Sequence, residues 1–172
     1  METTQMVSST QSIVGGDGTD QFLTFMLAGE EYAVDILRVQ EIKGWDAVTN
    51  IPNTPEYILG VINLRGTIVP IIDLRLRFEM DKMDYGPMTV VIVLKVKDEN
   101  RSRTMGVVVD GVSDVYNVPN EEIKGAPDFG SEVNTDFIKG LATVGEKMVI
   151  ILDIDKMLSS RDLKVATGGD AS

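Results

Sequence analysis

Residues 57–76 read YILGVINLRGTIVPIIDLRL, and this stretch decides the fold. Apolar residues crowd both sides of Arg65-Gly66. Glycine takes a positive φ at no steric cost, so Arg65-Gly66 predicts the turn of a tight hairpin. The flanks, residues 59–64 and 67–72, then become paired strands. Asp73 follows, and Leu74, Leu76 and Phe78 predict a short helix with Asp73 as its N-cap.

The same plan returns in residues 137–156, FIKGLATVGEKMVIILDIDK, at a constant offset of 80. Tyr57 meets Phe137, Gly60 meets Gly140, Val69 meets Val149 and Asp73 meets Asp153, without a gap. Two glycines, two aspartates and one apolar pattern in register mark an internal duplication. Upstream there is a weaker echo: Ala33-Val34-Asp35 resembles Val108-Val109-Asp110, at a different spacing.

A chain of 172 residues is about one domain's worth, so the duplication reads as two half-domains sharing one core. Hydrophobic residues make up 43%, enough to fill such a core. There is no Cys and no His. That excludes a thiol nucleophile, a disulfide, a Cys/His zinc site and a His-dependent triad, and no cofactor is expected. The net charge of -11 disfavours nucleic acid and anionic membrane surfaces as partners. No basic segment leads into an apolar one at the N-terminus, and apolar runs such as 90–94 fall far short of the ~20 residues of a membrane span. A soluble cytoplasmic protein is expected.

Residues 1–20, rich in Ser, Thr, Gly and Gln, predict a disordered tail, and residues 160–172 a flexible one. Order is expected from Gln21. Residues 21–27 and 31–35 predict a hairpin, Ile36-Leu37 a single helical turn, and 39–45 a strand. Pro52, Asn53 and Pro55 predict an irregular connection. Residues 79–87 are polar, end in Gly86-Pro87, and read as the seam between the halves. Residues 88–96 form a β-branched run suited to a strand buried on both faces. Strands at 104–109 and 112–118, a long loop at 119–135, the repeat hairpin and a short helix at 154–158 complete a mainly β chain. Short strands and tight turns predict two small β-barrels packed together.

Asp35, Asp73, Asp110 and Asp153 invite acid–base chemistry. Each sits where a strand ends, however, and there a carboxylate caps backbone N–H groups. Arg65 has two readings. It is a solvated hairpin tip, or its guanidinium pairs with a partner's carboxylate through two parallel bonds. The repeat has Gly145 at the matching position, so the arginine belongs to one half only. Val39 and Glu41 share a strand face, as a surface edge strand or as a docking strip. Phe129 is tucked under its own loop or offered to a partner. Gly15-Gly16 and Gly168-Gly169 neither follow a strand nor open a helix, so they are not phosphate loops. An enzyme would need a deep carboxylate-lined pocket, and a nucleic-acid binder a basic aromatic stripe.

Residues 30–46 (EEYAVDILRVQEIKGWD), 53–78 (NTPEYILGVINLRGTIVPIIDLRLRF) and 105–115 (MGVVVDGVSDV) closely resemble the CheW-like family of chemotaxis coupling proteins. The resemblance runs from about Gln21 to Leu158. It implies two five-stranded SH3-like barrels around a shared apolar core. It implies a non-catalytic adaptor that couples methyl-accepting chemoreceptors to the histidine kinase CheA in membrane-associated arrays, with a second copy of itself as a further partner in array rings. Carried over residue by residue, receptor contacts fall on Val39, Glu41, Gly60 and Arg65. Kinase contacts fall on Ile36 with its turn, and on Lys124 and Phe129. Family members often have Arg where Lys124 stands, and Lys lacks the planar fork.

Overall fold

The structure, a computed structural model, describes residues 19–98, 101–127 and 137–158. Ten strands carry it: β1 (Thr19–Leu27), β2 (Glu30–Asp35), β3 (Val39–Gly44), β4 (Ile58–Leu64), β5 (Thr67–Asp73), β6 (Val90–Asp98), β7 (Arg101–Val109), β8 (Gly111–Pro119), β9 (Ile138–Val144) and β10 (Lys147–Leu152). Helix α1 (Leu74–Arg77) follows β5, and α2 (Ile154–Met157) follows β10. Three-residue 3-10 turns occupy Ile36–Arg38 and Asn120–Glu122. The expected tails, and Phe129, lie outside the described residues, although β1 begins at Thr19 rather than at Gln21.

The strands form two five-stranded sheets, in the orders β8-β1-β2-β10-β9 and β3-β6-β7-β5-β4. Each curls into a small barrel around its own core. The first barrel packs Phe22, Ala33, Val118, Ala142, Val149 and Ile151 inside. The second packs Val69, Ile71, Val91, Val93 and Val108. Between them runs a larger shared core that includes Leu23, Phe25, Leu27, Ile72, Ile92, Leu94 and Leu152. Strand β6 serves both: Val91 and Val93 point into the second barrel while Ile92, Leu94 and Val96 point into the shared core. That explains its continuous apolar run.

The seam at 79–87 separates the sequence repeats but not the barrels. It joins β5 to β6 inside one sheet. Each barrel takes its leading hairpin from one half of the chain and three strands from the other: β1/β2 join β8–β10, and β6/β7 join β3–β5. The exchange is made through four pairings, two parallel (β2 with β10 and β7 with β5) and two antiparallel (β1 with β8 and β6 with β3). It buries one face of each leading hairpin against the other in the shared core, which neither half could cover alone. The chain crosses between sheets at Ile36–Arg38 and at Asp110.

The parallel ladders also correct the upstream echo. Ala33 lies opposite Ile151, and Gly106 lies opposite Ile71, the equivalent of Ile151. Ala33 therefore corresponds to Gly106, two residues before the Val108 that the echo suggests. The correspondence makes packing sense, because a Cβ at Gly106 would come within 2.7 Å of Ile71 Cδ1.

Three of the four aspartates cap as expected. Leu37 N–H donates to Asp35 Oδ1 at 3.0 Å, Leu76 N–H to Asp73 Oδ1 at 3.2 Å, and Lys156 N–H to Asp153 Oδ1 at 3.1 Å. Asp110 does something else. It accepts Ala28 N–H at 2.8 Å and takes Arg75 Nε and Nη2 at 2.9 and 2.8 Å, tying the two barrels at the crossover. Asp73 has a second partner in Tyr85, whose hydroxyl donates to Oδ2 and whose ring lies 4.4 Å from that of Trp45. This fastens the 79–87 connection to the second barrel.

Candidate functional site

Strands β3 and β4 are the two ends of the second sheet; among the described residues the outer edge of β3 pairs with no further strand, and that of β4 takes only the bridge from Thr49 to Val61. The burial of β3 alternates: Val39, Glu41 and Lys43 are half-buried, and Gln40, Ile42 and Gly44 face outward. The expected shared face of Val39 and Glu41 is broken by a bulge: Val39 lies opposite Leu94 and packs against the shared core, whereas Glu41 lies opposite Val93, which points into the second barrel. Bulges re-aim side chains, and here one sits beside the candidate contact.

Arg65 stands at the tip of the β4/β5 hairpin. Its φ is 51° and that of Gly66 is 89°, the doubly positive pattern of a turn whose twist matches the strands. The tip reaches β3: Arg65 Nη2 donates to Glu41 Oε1 at 2.6 Å. The Arg65 side chain is 73% exposed and Glu41 28%. One guanidinium edge is engaged within the chain, and most of the group faces solvent. The sequence offered Arg65 a solvated tip or a carboxylate of another molecule; the carboxylate it takes here belongs to its own chain, 24 residues away.

Gly60 does not offer itself to the surface. It is buried, with φ at 147°, and a Cβ there would fall 2.1 Å from Thr49 O. Its lack of a side chain lets residues 48–50 cross over β4, where Thr49 and Val61 exchange hydrogen bonds of 2.9 Å. The repeat does the same. Gly140 lies under Lys124 O, and Lys124 bridges Leu141 with bonds of 2.8 and 2.6 Å. Gly60 and Lys124, assigned to different partners, thus belong to equivalent crossings in opposite barrels. Lys124 borders an open pocket of about 320 Å³ lined by Glu121, Glu122, Leu141, Thr143 and the exposed Met148.

Ile36 packs against the shared core, while its neighbour Leu37 is 76% exposed. The structure therefore brings Glu41 and Arg65 together on the second barrel, while Val39 packs against the shared core. It places the Ile36–Arg38 turn at a crossover and Lys124 on the first barrel. Sequence reasoning missed Leu37 as the outward residue of its turn.

Burial raises the Asp110 and Asp155 carboxyls, but hydrogen bonds from Arg75 and Ala28 N–H, and from Arg38 and Lys97 N–H, outweigh it and hold both below the ordinary value. These are tied carboxylates at the barrel junction. Among the described residues no group of three or more Asp or Glu could hold a metal ion, and no helix is long and apolar enough to cross a membrane.

The CheW-like domain model matches residues 21–162. The chain belongs to the CheW family. The chemotaxis protein CheW of Klebsiella aerogenes is 47% identical over 157 residues, covering 91% of this chain and 92% of that protein. A probable CheW of Rhizobium etli is 34% identical, over 87% of this chain and 94% of the relative. Among solved structures, the scaffolding protein TtCheW of Thermoanaerobacter tengcongensis superposes with a TM-score of 0.72 at 33% identity, over 80% of this chain and 91% of that one. The CheW fold, two five-stranded barrels with few short helices, is therefore the fold of this chain, and its family is one of chemotaxis scaffolds.

Proposed function

We propose that this CheW-family chain couples methyl-accepting chemoreceptors to the histidine kinase CheA, without chemistry of its own, at membrane-associated arrays on the cytoplasmic side. The observation that carries the reading is the Arg65–Glu41 clasp. An arginine occupies a left-handed backbone position that the repeat gives to Gly145. Left-handed backbone costs a side-chain-bearing residue about 1 kcal/mol or more. An exposed ion pair returns little, about 0–1 kcal/mol. The arginine is thus poorly explained by stability and well explained by a partner.

In this reading Val39, Glu41 and Arg65 form the receptor contact. Glu41 steers the guanidinium, and the free edge takes a receptor carboxylate or amide oxygen. Gly60 shapes that surface by seating Thr49. Kinase contacts lie elsewhere, at the Ile36–Arg38 turn and around Lys124 and Phe129. Three separate modest surfaces suit an adaptor held by multivalency.

Reconstitution tests it. Purified chain, CheA and receptor-bearing membranes are combined, and kinase autophosphorylation is followed with and without the chain. Receptor-dependent activation only when the chain is present supports the proposal. Equal activity without it contradicts the coupling role.

A further inference from the structure

The Ile36–Arg38 turn is a three-residue 3-10 helix with no buried residue. So short a turn has little stability of its own. Two carboxylates from opposite ends of the chain fix it. Asp35 caps Leu37 N–H from the near side. From the far side, Asp155 grips Arg38 in a two-pronged pair, Nη1 to Oδ1 at 2.8 Å and Nη2 to Oδ2 at 2.6 Å. Asp155 Oδ1 also accepts Lys97 N–H at 2.8 Å, and Arg38 Nη1 donates to Lys95 O at 3.0 Å. Asp155 itself is anchored: it lies in α2 between Ile154 and Met157, which are buried in the shared core.

The other crossover shows what this brace does. By the register of the parallel ladders, Leu37 corresponds to Asp110. In the repeat, Asp155 corresponds to Arg75. Arg75 grips Asp110 with two bonds. Both crossovers are thus braced by a helix residue at the same repeat position, with the charges reversed. At the second crossover the gripped residue is Asp110 itself, and its side chain is used up. At the first the grip falls one residue later, on Arg38, and leaves the equivalent position free. A leucine fills it, 76% exposed. An exposed leucine alone is ordinary. Here its own N–H is capped by Asp35, and the side chain of the next residue, Arg38, is held by Asp155.

We infer that Asp155 is a positioning residue: through Arg38 and Lys97 N–H it sets the Ile36–Arg38 turn so that Leu37 is presented to CheA. This rests on the kinase-contact reading of that turn. A pair with side-chain exposures of 21% and 31% and two-pronged geometry exceeds an ordinary surface ion pair.

The test uses the full chain, purified CheA and a receptor cytoplasmic fragment, with Asp155→Ala and Leu37→Ser made singly and together. Asp155→Ala should lower affinity for CheA about tenfold and leave affinity for the receptor fragment within about twofold. It should also speed amide exchange at Leu37, whose N–H Asp35 caps. In the Leu37→Ser background it should add little, because the contact it positions is already gone. General loosening of the chain would add its full loss instead. Asp155→Asn keeps the shape and one acceptor, so it should give an intermediate loss and guards against misfolding of the truncation. Full additivity, or Asp155→Ala binding CheA as the unaltered chain does, overturns the inference. An unaltered chain that fails to bind CheA overturns the kinase reading. Amide exchange then decides the positioning claim, and an unchanged rate at Leu37 overturns it.

Discussion

Arg65 carries a left-handed backbone at the tip of its hairpin while its Nη2 sits 2.6 Å from Glu41 Oε1 on the facing edge strand. Gly145, the equivalent residue in the repeat, has a φ of 62° and no side chain to place. Stability and contact therefore pull in opposite directions at position 65. Arg65→Gly should leave the thermal midpoint unchanged or raise it, since the ion pair it removes is exposed. The same variant should weaken receptor attachment about tenfold or more, as loss of an arginine anchor does. Calorimetry and a receptor-fragment titration on one preparation would check both halves.

Gly60 should behave in the opposite way. Gly60→Ala drives a Cβ into Thr49 O and forces a positive φ on a side-chain-bearing residue. Overpacking of this kind costs about 1–3 kcal/mol, visible in a denaturant titration. Gly44→Ala meets nothing within 4 Å and should change stability by less than about 0.5 kcal/mol. Any receptor defect of Gly60→Ala should follow its loss of folded Thr49–Val61 bridging, and so fall with stability rather than apart from it.

Acid should loosen the barrel junction. The Asp110 and Asp155 carboxyls lie below their ordinary value of 3.8 in the folded chain. A carboxyl held low contributes stability that is fully present above its unfolded value and is lost as the pH falls through its folded one. The contribution of both pairs should therefore be intact from neutral pH down to about 4 and vanish below it. Asp110→Asn and Asp155→Asn should each lower stability at pH 7 and flatten the decline below pH 4. A denaturation series from pH 7 to pH 2 would show whether the slopes differ from those of the unaltered chain.

Because the leading hairpins are exchanged, the repeats should not fold separately. A chain ending at Gly86 would lack β6 to β10, so β1 and β2 would miss their partners and β3 would have none. Such a fragment, and its complement, should each lack cooperative unfolding. Mixed, they should regain it, since together they restore both sheets and the shared core. A cooperative transition in either fragment alone would contradict the exchange.

Much of this was legible in residues 57–76 and their repeat. The hairpins, the short helices and the Asp73 and Asp153 caps follow from local turn and cap chemistry, which one stretch of chain specifies by itself. The exchange of hairpins was not, because alternation tells which face of a strand is apolar and not which neighbour covers it. For the same reason Asp110 read as a local cap, when its arginine comes from 35 residues away. At the candidate site, the strand character of residues 39–44 was readable from period two, but the bulge that sends Val39 and Glu41 to different faces was not. The Glu41–Arg65 pair was not, since nothing local links an edge strand to a distant hairpin tip. Leu37 went unnoticed because an apolar residue beside Ile36 looks like core until its crossover is seen in three dimensions.

The most direct measurement is co-sedimentation of CheA with receptor-bearing membranes, mediated by the unaltered chain or by Arg65→Glu. The unaltered chain should carry CheA down with the receptors. Arg65→Glu should stay folded by circular dichroism and still bind CheA, yet leave both in the supernatant. If the two chains bring down equal amounts of CheA, Arg65 is only a solvated hairpin tip and the receptor surface lies elsewhere.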